Sequence, residues 1–373
     1  MENSRRDFLK CVGAAYTLML AGQFVSNAYA AEKAISLEQC MSMSPIDMAK
    51  QSPMVENGWV YLNEQIVSLE DEGIVALVSQ IYSNARPMLD DRLEPAARRT
   101  VWKELQAQGY TAQAYEDFLP AVWPGVEDKN PFVSAPGSGY GSHHAYPGGL
   151  VTHTATNAMI TDSIVKTYKD VYGYNVNRDI ALAAQLLHDL HKPWVFQWLA
   201  DGSSRTEQPL AGAGQHHVLT GAELIVRKAP AELVIATLCA HTHPGTREDE
   251  AQIVGWIKAA AIIAGVDPVK YGLLDKSGET LPQPRRQEGF LCHLGDHDFV
   301  LSVPAVQWTL PVMSEIARQD YKLSDADLKG KPFNSLRNRV YSQASAMRVH
   351  NVYAHEGREG VRKLMLALVV PGN

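Results

Sequence analysis

The apolar run from Ile180 to Leu187 reads as a buried helix, yet it delivers His188, Asp189 and His191 at its end. Burying two imidazoles and a carboxylate costs several kcal/mol unless each finds a partner. That partner is a proton, a neighbouring side chain or a metal ion, and the rest of the chain must decide among them.

The surrounding sequence repeats the pattern. Residues 148–171, 178–190, 216–229, 231–243, 251–266 and 288–302 carry apolar positions at helical spacing, and clear alternating runs are few. The expected fold is therefore mainly α. His153, the pair His188 and Asp189, one of His216 and His217, one of His241 and His243, and one of Asp296 and Asp298 lie in or at the ends of these helices. Helical bundles build metal sites this way, with ligands from several helices converging on the interior. Imidazole and carboxylate without sulfur suit iron, zinc, manganese or nickel, and disfavour copper(I) and thiolate zinc. Two such ions can share a carboxylate such as Asp189 and hold a hydroxide between them.

Other chemistries lack their motifs. The chain has no GxSxG, no GxxxxGK[ST], and no GxGxxG behind a strand. The Gly-rich stretch GSGYG at 137–141 runs into His143 rather than a phosphate-binding helix, and reads as a loop at the mouth of the site. Cys40, Cys239 and Cys292 form an odd set beyond the first thirty residues, with no CxxC, so neither a disulfide framework nor a thiolate zinc site is expected.

The order His … His-Asp … His … His … Asp resembles the HD-domain metal-dependent phosphohydrolases in their two-metal form. HHAYPGGLVTHTATNA is similar to that superfamily's first ligand helix, LLHDLHK to its eponymous motif, and HHVLTGAELI to its His-x-x-x-Gly-Ala motif. LCAHTHPG and HLGDHDFVLS resemble the last two motifs, and the likeness covers residues 140–302. It implies His153, His188, Asp189, His217, His241 and Asp296 as ligands of two divalent ions (Fe, Mn, Zn or Ni). His191, His216, His243 and Asp298 are left around them. His191 stands where the superfamily usually has glycine. The resemblance implies hydrolysis of a nucleotide or other small phosphoester. Asp189 would bridge the ions and orient the hydroxide, Lys192 would neutralise phosphate charge, and His144 would contact the substrate or protonate the leaving group. Two other readings share these ligands: a diiron oxygenase cleaving a C–C or C–P bond, and a non-catalytic, metal-stabilised binding module.

The first thirty residues resemble a twin-arginine export signal: Arg5 and Arg6, an apolar stretch from Val12 to Val25, and Ala28 and Ala30 before the expected cleavage after Ala30. That implies folded export to the periplasm by the twin-arginine machinery, with metal in place. This segment carries a net charge of +1, so residues 31–373 hold −8 of a chain total of −7. Such an acidic protein is a poor nucleic-acid binder. Residues 329–363 run the other way, with eight Lys/Arg against two Glu, and offer either a solvated face or a phosphate-attracting patch. The expected organisation is a signal (1–30), an N-terminal helical region (31–135) that starts irregularly up to about residue 58, an HD-type metal-binding bundle (136–310) and a C-terminal extension (311–373). The extension is read as α/β-like, with strands at RVHNVYAH and LMLALVV. Oligomeric state is not legible.

Overall fold

Proline placement organises the N-terminal part. The computed structural model describes residues 34–122 and 131–372; the signal segment lies outside them. After β1 (Ile35–Ser36) come α1 (Leu37–Ser42), α2 (Pro45–Lys50) and α3 (Pro53–Val67). The stretch expected to be irregular is therefore helical. Pro45 and Pro53 occupy first helical positions, where a fixed φ helps and no N–H is needed. Ser44 and Ser52 cap these helices by accepting from the amides of Asp47 and Val55. The chain continues through α4 (Glu72–Ser83), α5 (Met88–Arg92), α6 (Pro95–Ala107) and α7 (Pro131–Ser134).

The bundle follows: α8 (Gly149–Tyr172), α9 (Arg178–Leu187), α10 (Lys192–Val195), a hairpin of β2 (Pro209–Leu210) and β3 (Ala213–Gly214), α11 (Gln215–Val226), α12 (Ala231–Leu238), α13 (Arg247–Ala264) and α14 (Pro268–Tyr271). The last expected bundle helix breaks in two, α15 (Glu288–Gly295) and α16 (Phe299–Asp320), separated at Asp296 to Asp298. The architecture is a helical bundle, as expected. α8 and α9 lie at its centre, packed on one another and on α3, α12 and α15.

One hydrophobic cluster joins Leu62, Ile74 and Phe132 of the N-terminal region to Leu182, Leu219 and Trp256 of the bundle. A second joins Leu37 and Cys40 to Met313, Tyr341 and Val369. The N-terminal region thus shares the bundle's core, and residue 310 falls inside α16 rather than at a boundary.

The C-terminal segment is α17 (Lys331–Leu368), interrupted by non-helical backbone at Ser345 and Gly357, then β4 (Val369–Val370). RVHNVYAH is helical, contrary to expectation, because Val349 and Val352, three apart, are the positions it buries. Only the last two residues of LMLALVV are extended; they pair in parallel with β1, Ile35 opposite Val369. The basic run 329–363 is largely spent on packing. Arg337 and Arg339 are buried; Arg337 donates to Ala145 O (2.9 Å), and its guanidinium stands 4.4 Å from the Tyr140 ring centroid. Arg358 and Arg362 pair with Glu315 and Asp320 at 3.1 and 2.7 Å. An exposed phosphate-attracting patch does not form from these four.

Candidate metal centre

The site is built on a strained turn. His144 has a positive φ of 51°, and its carbonyl accepts from Gly137 N at 2.8 Å. A Cβ at Gly149, the first residue of α8, would stand 1.8 Å from that carbonyl oxygen, so the close approach requires glycine. The turn sets the rings of His143 and His144 each 5.3 Å from that of His153, one turn into α8.

His188 ends α9, and its Nδ1 donates to Gln185 O at 2.7 Å. That leaves Nε2 free to face inward. Asp189 then enters the centre with its two oxygens divided. Oδ2 lies 3.0 Å from His153 Nε2 and 3.2 Å from His188 Nε2. Oδ1 lies 3.5 Å from His216 Nε2 and 3.6 Å from His241 Nε2. Asp296, from the break between α15 and α16, closes the group. Its Oδ1 is 3.3 and 3.4 Å from His153 and His188, and its Oδ2 is 3.3 Å from His241 Nδ1. Asn157, one turn after His153, donates to Asp296 Oδ1 at 2.6 Å.

The donor atoms fall into two sets, His153–His188–Asp296 and His216–His217–His241, each within 4.8 Å of one another. Both Asp189 oxygens, His216 Nε2, His217 Nδ1 and His241 Nε2 are buried without a hydrogen-bond partner. Native interiors rarely leave such atoms orphaned, and a pair of metal ions is what this donor set fits.

Charge is arranged to match. Burial pushes the Asp189 carboxyl up, but His188 and Lys192 outweigh it and hold it well below the usual range. Burial pulls His188 down, but Asp189 and Asp296 outweigh it and raise it to about 10, so the two carboxylates favour a positive charge where its Nε2 points. Burial, reinforced by His241 and His216, holds His217 well below its usual value. His241 falls to about 4, mainly through burial. Neutral imidazole is the ligating form.

Lys192 is buried, not a solvated helix end. Its Nζ donates to Gly137 O at 2.6 Å and lies 2.5 Å from Asp189 Oδ2, off the hydrogen-bonding directions. Beside the cluster opens a cavity of about 210 Å³ lined by His143, Lys192, Phe196, Glu207, His293 and Phe299. A larger cleft of about 510 Å³ lies along the Pro-rich link at 281–286, lined by other residues.

The remaining candidates separate. His144 is engaged at both nitrogens, Nε2 with Asp298 (2.6 Å) and Nδ1 with Tyr146 OH (3.1 Å); His143 lines the cavity instead. Asp298 serves His144, whereas Asp296 joins the cluster. His191 packs edge-on against Trp194, its Nε2 3.7 Å from Glu223 Oε2, and is placed with those residues rather than the cluster. His243 stacks on Phe290, and its Nδ1 accepts from Gly245 N at 3.1 Å. Of the adjacent pair, His216 reaches Asp189, while His217 stacks face to face on His241 at 3.7 Å.

Sequence reasoning missed Asn157, His143, His293 and Glu207. Asn157 was within reach, four residues after His153 on one helix face. Glu207 was not: its Oε2 meets His216 Nδ1 at 2.6 Å only because the β2–β3 hairpin folds it back.

The HD domain family model matches residues 150–264, which hold five of the cluster's histidines and Asp189. Over 143 residues the chain is 33% identical to a dihydroneopterin 2',3'-cyclic phosphate phosphodiesterase from Methanocaldococcus jannaschii. The match covers 38% of this chain and 57% of that relative. No solved structure matches the chain.

Proposed function

We propose that the protein is a metal-dependent phosphohydrolase acting on a small phosphoester through a binuclear His/Asp site. The observation that carries this reading is the division of Asp189, one oxygen toward each set of donors. His153, His188 and Asp296 would hold one ion, His217 and His241 the other, with Asp189 between. Two bound ions supply a hydroxide at neutral pH and polarise a phosphoryl group. Lys192 Nζ, at the cavity wall, neutralises charge on the phosphate oxygens. His143, which also lines the cavity, hydrogen-bonds the ester, and Asp298 fixes the neighbouring His144. The narrow cavity favours a small ester over a polymer. The relative's name makes a cyclic phosphodiester the first substrate to try.

The test is to purify the chain from residue 31 with metal and assay phosphomonoesters, linear and 2',3'-cyclic phosphodiesters, and nucleotides. Metal-dependent turnover on one class is expected. A filled site with no turnover on any of them sinks the reading. Two irons per chain with O2 uptake would establish the oxygenase instead. Folded export to the periplasm belongs to the same proposal; a Lys-Lys replacement of Arg5 and Arg6 should then retain the protein in the cytoplasm.

A further inference from the structure

We infer that His216 is itself a ligand of the second ion, held in place by Glu207, so that this position is formed by three imidazoles. The inference rests on the binuclear reading above and adds a ligand to it.

Three observations converge. His216 Nε2 is buried, has no hydrogen-bond partner, and lies 3.5 Å from Asp189 Oδ1, as close as His241 Nε2 at 3.6 Å. It belongs with His217 and His241 to a set whose donor atoms are within 4.8 Å of one another. Its other nitrogen, Nδ1, meets Glu207 Oε2 at 2.6 Å. A carboxylate on the far nitrogen is how proteins fix the tautomer and direction of a metal-bound histidine.

The backbone is shaped for that pairing. Ala211 and Gly212, both at positive φ, turn the β2–β3 hairpin tightly. Glu207 then lies across Gly214, where a Cβ would meet its carboxylate at 2.5 Å. A part-buried His–Glu pair placed there for packing alone would not leave Nε2 bare and close to Asp189. The two positions become unequal: two imidazoles and two carboxylate oxygens on one side, three imidazoles and one oxygen on the other. An imidazole-rich position suits zinc, iron or nickel over manganese.

The test reads metal, not turnover. Metal-free chain is titrated with Zn(II) against a chromophoric chelator, for wild type, His216→Ala, Glu207→Gln and the control His243→Ala, with circular dichroism as the folding check. Wild type and the control should take up two ions. His216→Ala should keep one tight ion and bind the other at least tenfold more weakly. Glu207→Gln, which leaves every proposed ligand in place, should weaken that same ion about 10- to 100-fold. Wild-type affinity for both ions in both variants overturns the assignment of His216. Fewer than two ions in the wild type overturns the binuclear reading beneath it. Should His216→Ala fail to fold, Glu207→Gln alone decides.

Discussion

His144 Nε2 and Asp298 Oδ2 lie 2.6 Å apart, joining the turn before α8 to the break before α16. The two acids of the closing motif therefore have different work: Asp296 faces the imidazoles and Asp298 holds His144. Asp298→Asn should leave metal content unchanged and lower kcat about 10- to 100-fold, the usual cost of an outer partner. Elemental analysis beside steady-state kinetics checks this. Metal loss in Asp298→Asn would place that carboxylate among the ligands.

Asp189 turns Oδ2 to His153 and His188 and Oδ1 to His216 and His241, whereas Asp296 reaches only His241 of the second set. Asp189→Asn should therefore lower the metal content below two ions per chain and reduce turnover more than about 100-fold, beyond the effect of an outer partner. Asp296→Asn should also lose metal. Unchanged stoichiometry in Asp189→Asn would refute its bridging role.

Gly149 tests the turn that seats His143 and His144. Added at this position, a Cβ would strike the His144 carbonyl oxygen at 1.8 Å, a backbone atom that cannot swing away. Gly149→Ala should destabilise the protein by about 3 kcal/mol or more, the upper end of overpacking costs. Gly109→Ala is the comparison. Its φ is 75° with nothing within 4 Å, so only the left-handed backbone is penalised, about 1–2 kcal/mol. Thermal unfolding of the two variants gives the ranking; equal losses would mean the turn yields.

The sequence announced the bundle because its helices bury long apolar faces and place their His and Asp residues at or near those faces. Helical period and residue type locate His153, His188 and Asp189 without tertiary information, while His241 over His243 and Asp296 over Asp298 come from the family resemblance. What stayed hidden depends on contacts distant in sequence. Asp296 and Asp298 differ only in which way a two-residue step turns at the end of α15. His191 follows His188 by three residues, but the helix has already ended, so it packs on Trp194 instead. Pro45 and Pro53 fit turns as well as first helical positions, and only the serine caps before them decide for helix.

Glu223 provides the pH test away from the metal ligands. It lies in α11, and its carboxylate accepts from the amides of Met88 (2.8 Å) and Leu89 (3.0 Å), with Arg227 Nε at 2.7 Å and His191 at 3.7 Å. Burial pushes its carboxyl up, but His191, Arg227 and the Met88 amide outweigh it and bring it from 4.5 to about 2. A folded-state value below the unfolded one means the ionised form stabilises the fold. That stability is present above about pH 4.5 and is lost as the pH falls toward 2. It amounts to about 3 kcal/mol, since each pH unit of difference is worth about 1.4 kcal/mol. Glu223→Gln should therefore be less stable than wild type at pH 7, and the gap should close as the pH falls from 4.5. Because acid also protonates the metal-binding imidazoles in both proteins, the informative quantity is the difference between them. Denaturant unfolding at pH 7, 5, 4 and 3 measures it, and a constant difference across that range would show that Glu223 is not the group responsible.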